Sequence, residues 1–126
     1  MIKNLDIEKI GTDLVIAYEK EQGRLIFRPK SKGCGWDLCT GNPKETRYIE
    51  VKATTKKRLE GRWLEKASHN QLQTNPDFYI YVITNIDEND ISKGDINIYT
   101  KEDITIVEEI KYMLKLRGAS QDKPAL

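Results

Sequence analysis

Histidine and cysteine are scarce: His69 stands alone, and Cys34 and Cys39 are the two cysteines in 126 residues. A zinc site draws on several closely spaced thiol and imidazole ligands, which this set does not supply, and a reducing compartment would keep both cysteines as thiols. Long apolar runs are also missing. No stretch approaches the roughly eighteen consecutive apolar residues of a membrane span, and Met1-Ile2-Lys3-Asn4 lacks the apolar run of a signal peptide. A cytoplasmic protein with no membrane partner is therefore expected. Aromatic residues are few, at 8%, yet a hydrophobic content of 38% is enough for one packed core in a chain of this length. The expectation is one domain over residues 1–119 and a flexible tail over 120–126.

An overall excess of either charge is absent too, since 21 Lys and Arg face 20 Asp and Glu. The neutral total hides a pattern. Between Arg24 and Lys66 there are twelve basic residues against five acids, a balance of +7, while the rest of the chain carries −6. Phosphate binding is largely charge neutralisation by Lys and Arg, so a basic middle flanked by acidic ends points to a nucleic-acid partner. Lys56, Lys57, Arg58, Arg62 and Lys66 are the candidate phosphate contacts.

Periodicity predicts an amphipathic helix over 5–22, with Ile7, Ile10, Leu14, Val15 and Tyr18 on one face, Asn4 as N-cap and Gly23 as stop. Short strands are expected at Leu25–Phe27 and Trp36–Cys39, the second joined by a Gly41–Lys44 turn to a third over Arg47–Thr54. A short helix near 68–74 should end before Pro76. Phe78–Ile86 reads as a central strand covered on both faces, and Asp95–Thr100 as another strand. A closing helix is expected from the Thr100–Asp103 capping pattern onward, with Ile104, Val107, Ile110, Met113 and Leu114 as its apolar face. This order predicts an α/β fold with a central mixed sheet flanked by helices.

Chemistry concentrates at Asp37 and at Ile49-Glu50-Val51-Lys52-Ala53. Strand side chains alternate, so Ile49, Val51 and Ala53 face one way and Glu50 and Lys52 the other. If Trp36 and Leu38 alternate with Asp37 in the same manner, the hairpin brings Asp37 beside Glu50. Two carboxylates held together raise each other's pKa, and a divalent cation removes that penalty. Mg²⁺, or Mn²⁺, held by Asp37, Glu50 and a backbone carbonyl such as that of Val51 fits this donor set, with Lys52 placed to orient water or offset negative charge.

Gly35-Trp36-Asp37-Leu38 followed by Arg47–Thr54 (RYIEVKAT) resembles the PD-(D/E)xK, or restriction-endonuclease-like, superfamily. Gly11–Glu19 (GTDLVIAYE), the two stretches above, and Asn70-Gln71 with Phe78–Val82 also resemble the domain at the C-terminus of the plant protein NO VEIN, over roughly Ile10 to Ile86. Trp36 stands where the superfamily name has proline. The resemblance implies a restriction-endonuclease-like core, Asp37 and Glu50 as metal ligands and Lys52 as the catalytic lysine. It further implies an acid from the first helix, Glu19 in preference to Asp13, and a substrate or metal-water contact for Gln71. Tyr79 and Tyr81 read as packing residues. The implied activity is a metal-dependent endonuclease acting on DNA, with RNA also open, in defence or repair. The competing expectations are a nucleic-acid-binding module without turnover, and a homodimeric junction resolvase using the C-terminal helix as its interface.

Overall fold

The computed structural model describes residues 4–29, 33–62 and 64–106. Helix α1 (Asn4–Glu21) leads into strands β1 (Leu25–Phe27), β2 (Leu38–Gly41) and β3 (Thr46–Ala53). Helix α2 (Lys66–Thr74), strands β4 (Phe78–Thr84) and β5 (Asp95–Tyr99) and a single 3₁₀ turn (Lys101–Asp103) follow. The five strands form one mixed sheet in chain order, antiparallel except for the parallel β3–β4 pair, between which α2 is the crossover. This is the expected α/β class, and no helix among the described residues is long and apolar enough to cross a membrane.

The two faces of the sheet have separate cores. On one, the predicted stripe of α1 (Ile7, Ile10, Leu14, Val15, Tyr18) packs on Leu38, Ile49, Val51, Tyr81 and Ile83. Gly11 makes this contact close, because a Cβ there would lie 2.7 Å from that of Ala53. The helix accepts glycine's cost of about 1 kcal/mol in exchange for that approach. On the other face, Leu72 of α2 packs with Phe78, Ile80 and Val82, and Trp36, Tyr48, Leu59, Leu64 and Ile104 border them.

Three expectations change. The hairpin turn sits one residue later, at Asn42–Glu45, because the Asn42 side chain accepts hydrogen bonds from the N–H groups of Lys44 (2.8 Å) and Glu45 (3.0 Å) and closes it there. Trp36 and Leu38 go to opposite cores rather than one, so Asp37 does not sit in a regular pleat. The capping pattern is used, with Asp103 accepting from the Thr100 N–H at 3.0 Å, but it starts only the 3₁₀ turn. Ile104 is already extended (φ −118°, ψ 131°) and packs beneath the sheet, as β-branched Ile104-Thr105-Ile106 favours. The remainder of the expected closing helix, the tail over 120–126, and Trp63 lie outside the described residues.

Candidate active site

Strand β2 stops at Leu38 while β3 runs on, so Val51 has no β2 residue opposite it. Asp37 occupies that place. Its own N–H donates to the Ile49 carbonyl at 2.8 Å, and its Oδ2 accepts the Val51 N–H at 2.7 Å. The carboxylate therefore lies along the sheet and completes the ladder that the missing residue would have made. A residue's N–H and C=O leave a strand on the same side, so the Val51 carbonyl opens onto the same edge.

Gly35 sets up this approach. Its φ of +92° is left-handed, and a Cβ would meet the Ala67 carbonyl oxygen of α2 at 2.5 Å. Only glycine lets the chain turn here against α2. Trp36 then anchors the segment by an edge contact with Tyr48, ring centroids 5.3 Å apart.

Glu50 and Lys52 share the face opposite α1, as the alternation predicted. Glu50 is buried, at 8% exposure, with Oε2 3.2 Å from Lys52 Nζ. Its surroundings conflict. Burial and the neighbouring Asp37 carboxylate disfavour its charge more than Lys52 favours it, and its pKa is pushed up to about 7. The structure thus brings Asp37, Glu50, Lys52 and the Val51 backbone together. Among the described residues no group of three or more His, Cys, Asp or Glu side chains gathers at one point, so this cluster offers two carboxylates.

Glu19 does not join them. It is fully buried on the α1 face, where Arg24 donates from Nε (2.7 Å) and Nη2 (2.8 Å), Thr40 from its hydroxyl (2.6 Å) and Tyr81 from its phenol (2.9 Å). Tyr81 stands beside Val51 in register, on the sheet face away from Glu50 and Lys52. Burial alone would raise the Glu19 pKa, but these donors and the Arg24 charge outweigh it and hold it below the ordinary value. Arg47 extends the network to Tyr81 and Glu45 and lies over the Tyr79 ring, 4.5 Å from its centroid. Both tyrosines are packing residues, as read from the sequence. Asp13 is exposed and paired with Lys9.

Gln71, on α2, lies on the same side of the sheet as Glu50, where its amide contacts the Cys34 carbonyl (3.4 Å) and Asn75 (2.9 Å). It braces the glycine loop rather than touching either carboxylate. Lys56, Lys57, Arg58, Arg62 and Lys66 are all exposed. Lys57, Arg58 and Arg62 border one cleft with Lys52, whereas Lys66 does not line it and Lys56 pairs with Glu60. Arg62 also carries a contact that sequence reasoning missed, because it donates to the Ala53 carbonyl at 3.0 Å and meets Glu8 at 3.2 Å. That carbonyl lies on the same edge of β3 as that of Val51.

No curated protein and no solved structure matches the chain. The family model described as "Protein NO VEIN, C-terminal" matches residues 7–97, which take in α1, all five strands' starts, α2 and the whole Asp37–Glu50–Lys52 cluster. The chain belongs to that family.

Proposed function

We propose that the protein is a divalent-metal-dependent nuclease of the restriction-endonuclease-like type, hydrolysing phosphodiester bonds, in DNA by preference. The observation that carries this reading is the buried Glu50 set against the more exposed Asp37 carboxylate and beside Lys52. Glu50 is pushed up to about 7, so the pair favours a bound proton or cation over two free charges. Oxygen donors from Asp37, Glu50 and the Val51 carbonyl suit Mg²⁺ or Mn²⁺. Once bound, such an ion supplies the Lewis acidity that activates water and offsets charge on the phosphate. The chain's own groups divide the remaining work. Asp37 and Glu50 would hold the ion, and the Val51 N–H keeps the Asp37 carboxylate in one orientation. Lys52, on the same face as Glu50 and 3.2 Å from it, would be placed to stabilise negative charge on a phosphate. Lys57, Arg58 and Arg62 draw in the backbone.

A nucleic-acid-binding module without turnover is the second reading, favoured by the placement of Glu19 away from the site and by the closed Glu50–Lys52 ion pair. A cleavage assay on linear, nicked, branched and single-stranded DNA and on RNA, with Mg²⁺, Mn²⁺ or EDTA, separates the two. Metal-dependent cutting that disappears in Glu50→Gln supports the nuclease. Binding with no cutting in any metal supports the module.

A further inference from the structure

Helix α2 leaves part of the Lys52 face of the sheet open. Beyond it lies a cleft of about 550 Å³, within the roughly 300–1,000 Å³ of ligand sites. Its floor is built from same-face positions on three strands, since Lys52 pairs with Val82, Val82 with Asn97 and Ile80 with Tyr99. The loop after β3 forms one wall with Lys57, Arg58 and Leu59, and the extended segment Ile104–Ile106 forms the other.

Two properties of this cleft point to one kind of occupant. Four cations border it (Lys52, Lys57, Arg58, Arg62) against two acids; Glu60 is paired with Lys56 outside, while Lys52 pairs with Glu50 and Arg62 with Glu8, so Lys57 and Arg58 carry most of the excess. The rest of the lining mixes apolar side chains such as Leu59, Ile80 and Val82 with the polar Thr84, Asn97 and Thr105, and Tyr99, exposed at 37%, makes no ring contact with another aromatic among the described residues. Cations beside a partly exposed tyrosine that lines the same cleft suit a phosphate attached to a planar base. A base inside a duplex is paired and stacked and cannot present its face to Tyr99, whereas an unpaired one can. Lys52 belongs both to this cleft and to the carboxylate cluster, so a nucleotide seated here places its strand at the cluster.

We infer that the cleft binds one unpaired nucleotide, its base against Tyr99 and Leu59 and its phosphates along Lys57 and Arg58 toward Lys52. The preferred substrate is therefore a single strand or an unpaired end or gap. The position of the cut rests on the nuclease reading; the binding does not.

The test is fluorescence anisotropy of the full chain in EDTA, with a labelled oligothymidylate of roughly twelve nucleotides and a blunt duplex of similar length. The single strand is expected to bind at least about tenfold more tightly. Tyr99→Ala should weaken single-strand binding by about 5- to 100-fold, in line with the loss of one stacked base, and leave duplex binding unchanged. Tyr99→Phe should retain it. Leu59→Ala, in the loop, gives a second reading should Tyr99→Ala disturb β5. A strand carrying 5-iodouridine should photo-crosslink to Tyr99. Equal binding of both substrates with a neutral Tyr99→Ala overturns the cleft assignment and leaves the nuclease reading standing. Single-strand binding through Tyr99 without cutting in any metal supports the cleft and overturns the nuclease. Binding of neither substrate, or displacement of the strand by polyglutamate at equal charge, overturns the inference.

Discussion

Glu50→Gln should stabilise the metal-free protein above pH 7 while abolishing its activity. The Glu50 pKa rises from an ordinary 4.5 to about 7 in the folded chain, so the folded state holds a proton that the unfolded state releases. A raised pKa means that the stability is fully present below about pH 4.5 and is lost as pH climbs through 7. Ionising Glu50 then costs on the order of 3 kcal/mol, at about 1.4 kcal/mol per pH unit. Little of this is screened, because the residue is 8% exposed. For a domain of this size such a cost corresponds to a Tm lower by about 10 °C. Calorimetric scans in EDTA from pH 5 to 8.5 should show wild type and Glu50→Gln converging at the acid end and separating as pH rises, the mutant melting higher. Adding Mg²⁺ at pH 8 should stabilise wild type but not the mutant, by about 2.7 kcal/mol at a hundredfold excess over Kd, and raise its Tm accordingly. Parallel curves across the whole range would refute the argument that Asp37 and Glu50 are held together at a cost.

Lys52→Met should lower cleavage by roughly 10² to 10³, as for loss of one transition-state stabiliser, with Mg²⁺ titration by calorimetry close to wild type. Equal loss of metal affinity would instead make Lys52 part of the ion's support. Duplex binding should fall with salt at a log–log slope of about −3 to −4, for about four phosphate contacts; reversing charge at Lys57 and Arg58 should flatten it, and a flat wild-type response would sink the basic-surface reading. Glu19→Ala should cost up to about 3–5 kcal/mol in chemical denaturation, by removing the partner shared by buried Arg24, Thr40 and Tyr81 and leaving Arg24 its single contact to Glu45, whereas any folded fraction should cut at the normal rate, because Glu19 lies on the other sheet face.

Strong periodicity made most of the fold legible. The α1 stripe, the hairpin and the face shared by Glu50 and Lys52 all follow from spacings of 3.6 and 2, which need no knowledge of distant partners. Those patterns are silent on where a ladder ends. The alternation through Trp36, Asp37 and Leu38 placed Asp37 correctly beside Glu50 but for the wrong reason, since Asp37 has left the pleat to cap Val51. Glu19 was harder still. Its place beside the apolar stripe signalled burial, but its partners Thr40 and Tyr81 lie 21 and 62 positions away and only the folded sheet assembles them. The capping pattern at Thr100 promised a longer helix, and packing of Ile104 against the sheet won over that local signal.

Two buried carboxylates on opposite faces of one sheet differ in a way that separates a structural ion pair from a candidate site. Glu19 receives four donors, including both nitrogens of a guanidinium fork, and ionises more easily than in water. Nothing is left for it to bind, which is the condition of a structural ion pair. Glu50 has one ammonium and one like charge, and it ionises with difficulty. A chain selected for stability alone would gain by neutralising either Asp37 or Glu50, since the core on the α1 face and the Glu19 network hold the sheet without them. Asp37 is moreover fixed by a glycine that only glycine can replace and by a backbone N–H that could equally have met a β2 residue. The strand is cut short, the acid inserted and the repulsion kept at the one place where two carboxylates, a lysine and the Val51 backbone come together. That combination costs the fold stability, and it is this cost that the proposed cation site would offset.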